Sequence, residues 1–188
     1  PGPTPRAWID AIETTLGVGA STGQRRAAAQ RALQIAGLER WSGPRLALSL
    51  LLAARLAPSE EGDAAFSALL AAGEIYRRMP GGEVHAAHVD MHLAVQALAA
   101  GRYDLVITLT ERALPLAART ENAAFQASLA FLQAEALEQR GDAERAARVR
   151  IDSMPAARYG FGSPAAVQAR LDEVVRLGAF GRRMAAAD

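Results

Sequence analysis

Apolar residues return every third or fourth position through almost the whole chain, the period of an amphipathic helix. Trp8, Ile12 and Leu16 stand at steps of four between Arg6 and Leu16. That spacing predicts a first helix with those three residues on one face. Gly17-Val18-Gly19 breaks it. Ser21 or Thr22 is placed to cap a second helix, which extends to about Ile35 and ends at Gly37. Ser42-Gly43-Pro44 starts a third, with proline tolerated in the first turn. Leu46, Leu48, Leu50, Leu51 and Leu52 make that helix apolar nearly all round, so it is expected to be central. Pro58-Ser59-Glu60-Glu61 opens a fourth, its acids favourable to the helix dipole, which reaches Arg78. Met79-Pro80-Gly81-Gly82 is the clearest break, yet it is too short for an interdomain linker. Residues 1–188 therefore read as a single domain, with helix pairs over 1–79.

The second part carries a repeat. Glu83 to Ala100 is helical, Gly101-Arg102 turns, and Tyr103 to Ala118 is helical again. Thr120 is expected to cap the next helix, which runs to Arg140; Gly141-Asp142 turns, and Ala143 to about Ile151 is helical. Two long helices thus end in a glycine turn, at Gly101 and again at Gly141, each followed by another amphipathic helix. Ala165 to Leu177, after Ser163-Pro164, sets Val167, Leu171, Val174 and Val175 on one side. It is expected to form a C-terminal capping helix over 163–178.

At these turns the residues resemble a known family. Ala97-Leu98-Ala99-Ala100-Gly101-Arg102-Tyr103-Asp104 resembles the inter-helix turn of a tetratricopeptide repeat, with Leu93 and Ala113-Leu114 at the family's conserved positions. Ala136 to Ala143 with Ala146 looks like a second copy, so the likeness covers about 84–154. Ala94 replaces the usual glycine, Val106 the usual alanine and Thr110 an aromatic, and the step from Gly101 to Gly141 is longer than the family's repeat. The resemblance implies an all-α fold: an α-solenoid of antiparallel helical hairpins, right-handed, with nine to ten helices and a concave groove for peptides or protein surfaces. It implies no enzyme activity. Physics points the same way, because one amphipathic hairpin cannot bury its apolar face alone and must stack on neighbours.

Composition changes this picture little. Half the residues are apolar (51%) and only 5% are aromatic, as suits alanine- and leucine-rich helices. A net charge of +1 lacks the basic excess of a nucleic-acid binder, so direct nucleic-acid binding is not expected. Every basic residue is arginine, which suits codon bias in a GC-rich bacterial genome. The absence of cysteine excludes disulfides and thiolate chemistry. No uninterrupted apolar run is long enough to cross a bilayer, so no membrane span is expected. The start at Pro1-Gly2-Pro3, without methionine, suits a cleaved secretory signal or an excised domain. It inclines the reading of a soluble bacterial chain slightly towards the periplasm.

Three features bear on chemistry. The only histidines, His85, His88 and His92, fall within an arc of roughly 60° on one helix. They are candidate metal ligands, although no carboxylate or cysteine partner is visible for a closed site. They also suit a groove wall, with Gln96 beside them. Arg158-Tyr159-Gly160-Phe161-Gly162 is read as a loop; no strand precedes it, so phosphate binding is disfavoured. Arg140, Arg145, Arg148 and Arg150 form a basic strip, usually a solvated face but able to receive an acidic segment. Neither a Gly-x-Ser-x-Gly motif nor a paired acid and base is evident, and no cofactor is implied.

The expected function is a scaffold or adaptor that binds a protein or peptide in a concave groove. The groove is expected to include His88, His92 and Gln96, with Arg102, Tyr103, Arg145 and Arg148 as further candidates. Three alternatives stand beside it: a regulatory or sensory segment of a larger bacterial protein, a metal-binding helical protein using the histidines, and an enzyme on a helical toroid. Pairing of end helices would give a homodimer.

Overall fold

The structure, a computed structural model, describes residues 5–161. The expected capping helix at 163–178 lies outside the described residues. Within them the chain is all helical. Its elements are α1 (Pro5–Leu16), α2 (Thr22–Leu38), α3 (Pro44–Leu56), a 3-10 turn at Ser59–Glu61, α4 (Gly62–Arg77), α5 (Glu83–Ala99), α6 (Tyr103–Ala117), α7 (Ala123–Gln139) and α8 (Ala143–Phe161). No helix among them is long and apolar enough to cross a membrane. Helix packing groups the chain into two compact units, Pro1–Val89 and Asp90–Asp188. The division falls inside α5 rather than at the Met79–Gly82 break.

In the first unit each helix packs on the next: α1 on α2, α2 on α3, α3 on α4. Ala11 and Ile12 of α1, Ala29 and Ala32 of α2 and Leu52 of α3 form a shared core, with Trp8, Leu48 and Leu56 against it. Alanine at the contacts lets the backbones approach closely. Leu16, expected to face inward, is instead 56% exposed. Thr15 takes the inward place and satisfies its hydroxyl on Ala11 O at 2.8 Å. The expected cap of α2 is present as a reciprocal pair: Ser21 Oγ accepts from Gln24 N–H and Gln24 Oε1 accepts from Ser21 N–H. Two arginines near the start of α2 then cap the helices on either side. Arg25 Nε donates to Thr15 O of α1 and Arg26 Nε to Leu56 O of α3, both at 2.8 Å. Carbonyls at helix C-termini lack intrahelical donors, so these bonds fix antiparallel packing by satisfying them. α3 meets both α2 and α4, but of the five leucines expected to make it central only Leu52 is buried; Leu46, Leu48, Leu50 and Leu51 are half-buried.

α2 runs past Gly37 to Leu38. It ends with Arg40 N–H bonded to Gly37 O and Trp41 N–H to Ala36 O, and Arg40 has φ 54°. A non-glycine residue in the left-handed region costs about 1 kcal/mol or more.

The second unit contains the repeat. Gly101 N–H bonds Leu98 O at 3.0 Å and Arg102 N–H bonds Ala97 O at 2.8 Å. At the second copy, Gly141 N–H bonds Glu138 O and Asp142 N–H bonds Leu137 O, both at 2.9 Å. The two glycines have φ 69° and 84°. Each turn is therefore the same left-handed helix ending, in which two orphan carbonyls are satisfied and the chain reverses. α6 packs on α7 and α7 on α8, with Ala134, Leu137 and Ala146 at the contact and Ile107 and Val149 beside them. α7 is buried without interruption over residues 127–137, polar Ser128, Gln133 and Glu135 included.

Two further boundaries differ from what the helical spacing predicts. α7 is capped by Asn122, whose side chain accepts from Phe125 N–H at 3.0 Å; Thr120 instead donates to Ala117 O. α8 does not stop near Ile151. It continues through Pro155 to Phe161, so Arg158-Tyr159-Gly160-Phe161 is helical rather than a loop.

Candidate functional site

α5 carries most of the expected site residues. Ala86, Val89, Leu93, Ala94 and Ala97 are buried, and they set its inner face. His88, Met91, His92, Val95 and Gln96 are half-buried along an adjoining strip. The strip mixes imidazole and amide groups with a thioether and a branched side chain. Such a surface offers hydrogen bonds and apolar contact together.

The histidines do not act alike. His85 is exposed, and its ring stacks on Tyr76 with centroids 5.2 Å apart and planes tilted by 32°. Burial raises the Tyr76 phenol above its ordinary value. His88 Nδ1 lies 3.1 Å from Val84 O. A carbonyl only accepts, so in the neutral ring Nδ1 carries the proton and Nε2 keeps a lone pair. Among the described residues no three histidine or carboxylate side chains converge as metal ligands would.

The hairpin turn places Arg102 exposed at the N-cap of α6 and Tyr103 half-buried in its first turn, with the phenol oxygen near Gly101. The basic strip is a set of ion pairs. Arg145 reaches Glu111 at 3.3 Å and Asp142 at 3.5 Å, Arg148 reaches Glu144 at 3.3 Å, and Arg140 pairs with Asp104. Arg150 grips Glu138 through two bonds of 2.5 and 2.7 Å. That fork holds the Glu138 carboxyl below its usual range, chiefly through the hydrogen bond. The strip thus answers its own charge, the behaviour of a solvated face.

One residue with no role in the sequence reading organises this region. Asp90 is 1% exposed on the inner side of α5. Arg112 of α6 meets it as a fork, Nε to Oδ2 at 2.8 Å and Nη2 to Oδ1 at 2.6 Å. The pair fixes α5 against α6 just before the strip reaches His92 and Gln96. A lone acid in the run Val89-Asp90-Met91 was its only sequence signal, and its partner stands on the following helix.

Elsewhere an open groove of about 390 Å³ lies between α1 and α2. It is lined by four alanines with Asp10, Thr14, Gln24 and Arg31. Compared with known proteins, the chain matches no protein-family model, no curated protein and no solved structure.

Proposed function

We propose that the protein is a scaffold or adaptor of tetratricopeptide-like helical hairpins that holds a peptide or protein segment. The observation that carries this reading is the paired hairpin ending at Gly101 and Gly141, the same in its hydrogen bonds and its left-handed glycine. A repeated supersecondary unit stacked on itself forms extended surfaces suited to a chain ligand. The His88–His92–Gln96 strip of α5 supplies such a surface, accessible but backed by packed alanines and leucines. Arg102 and Tyr103 extend it at the turn. Arg145 and Arg148 enter only where a ligand competes for their carboxylate partners. α7 adds nothing to an open groove, because its faces are buried.

Affinity capture from a bacterial lysate tests this, with wild type beside a His92→Ala, Gln96→Ala double variant. A specific partner held by the wild type and lost by a folded variant supports the reading. Equal capture by both removes the α5 strip from it. Stoichiometric metal in the wild type, absent from a His88→Ala, His92→Ala variant, would favour the metal-binding alternative.

A further inference from the structure

The corner between α2 and α3 has a chemistry of its own. Trp8 and Trp41 meet edge to face, centroids 5.7 Å apart and planes at 86°. The Arg45 guanidinium lies 4.7 Å from the Trp41 ring centre and 5.8 Å from that of Trp8. Trp8 is itself fixed, its indole N–H donating to Ser49 Oγ at 2.9 Å. Both indoles are half-buried and Arg45 is exposed. An arginine stacked on an aromatic face keeps its N–H donors in the guanidinium plane, where they suit a carboxylate.

The surroundings make this more than a packing contact. Leu38 is 72% exposed, an apolar side chain left in water. Arg40 holds the strained left-handed position in the same turn. Among the described residues neither Arg40 nor Arg45 has an ion-pair partner. Arg145, Arg148 and Arg150 of α8, by contrast, are each answered by a carboxylate within the chain. Tryptophan and arginine dominate the energetic centres of protein interfaces.

We propose that the Trp8–Trp41–Arg45 corner docks an acidic segment of another protein. A carboxylate of that segment sits on the edge of Arg45, with Arg40 adding charge, and a neighbouring apolar side chain covers Leu38. Glu39, exposed between them, disfavours a polyphosphate ligand. The site belongs wholly to the first unit and is independent of the α5 strip.

The test uses a convenience of composition: Trp8 and Trp41 are the only tryptophans, so intrinsic fluorescence reports this corner alone. The full chain is titrated with a short capped peptide alternating glutamate and leucine, and with its glutamine counterpart. The acidic peptide should give a saturable change with half-saturation near about 100 µM, weakened by salt. The glutamine peptide, and the acidic peptide on Arg45→Met with unchanged circular dichroism, should bind about tenfold more weakly. Arg40→Gly relieves the backbone and removes one cation, so it keeps the fold and should weaken binding about threefold. No change up to about 1 mM peptide overturns the proposal. So does equal binding of the glutamine peptide, or undiminished binding by either variant. Inorganic phosphate saturating the signal at lower concentration than the acidic peptide also overturns it.

Discussion

Replacing Arg112 with alanine takes two charge-assisted bonds from a buried carboxylate. Asp90 is 1% exposed and takes two charge-assisted bonds of 2.8 and 2.6 Å from Arg112. Removing one partner of a buried pair costs about 3–5 kcal/mol, because the other charge stays desolvated. The Arg112 side chain is 46% exposed, so water enters the vacated space and solvates part of Asp90. That places the expected loss at the lower end, about 3 kcal/mol, a large share of a typical folding stability. For a chain of this size it lowers Tm by roughly 6–12 °C. Thermal and urea unfolding by far-UV circular dichroism measure it for Arg112→Ala, Asp90→Ala and the double variant. The two single losses should overlap, with a coupling energy of about 1.5 kcal/mol or more. Losses that simply add to within about 0.5 kcal/mol would refute the argument that one pair holds α5 to α6.

Three further outcomes follow from local structure. Arg40→Gly should stabilise the chain by about 0.5–1 kcal/mol, since glycine tolerates the left-handed position; an unfolding midpoint that falls would contradict the strain. Ser21→Ala removes half of a reciprocal cap and should cost about 1 kcal/mol, read from urea midpoints at constant slope. Glu138 has a lowered folded pKa, so its stabilising contribution is complete above the ordinary carboxylate value of 4.5 and fades as pH falls through the lower folded value. The pair is half-exposed, so the effect is under about 1 kcal/mol, and Glu138→Gln should lower the neutral plateau of Tm slightly and flatten its acid limb, so that variant and wild type converge at low pH.

Helical periodicity made the all-α class and most element positions readable in the chain. Gly101 and Gly141 announced their turns because only glycine enters the left-handed region cheaply. Arg40 adopts the same conformation with no such signal, so α2 was expected to end short of Leu38. The helix from Ala143 was expected to end near Ile151 and the segment at Gly160 to form a loop, yet α8 runs on to Phe161. Tertiary context overrides local propensity there. The histidine strip was legible from helical spacing alone. The fork from Arg112 to Asp90 was not, because pairing between separate helices depends on how α5 and α6 pack. The pairs of Arg140 with Asp104 and of Arg145 with Glu111 were hidden for the same reason, since both acids lie on α6, far back in sequence.

Hydrogen exchange followed by mass spectrometry, on the protein alone and with its captured partner, tests the scaffold reading most directly. That reading predicts slowed exchange in the peptides spanning residues 88–96 and 101–103, with α8 unchanged. Protection confined to α8, and none along α5, would contradict it.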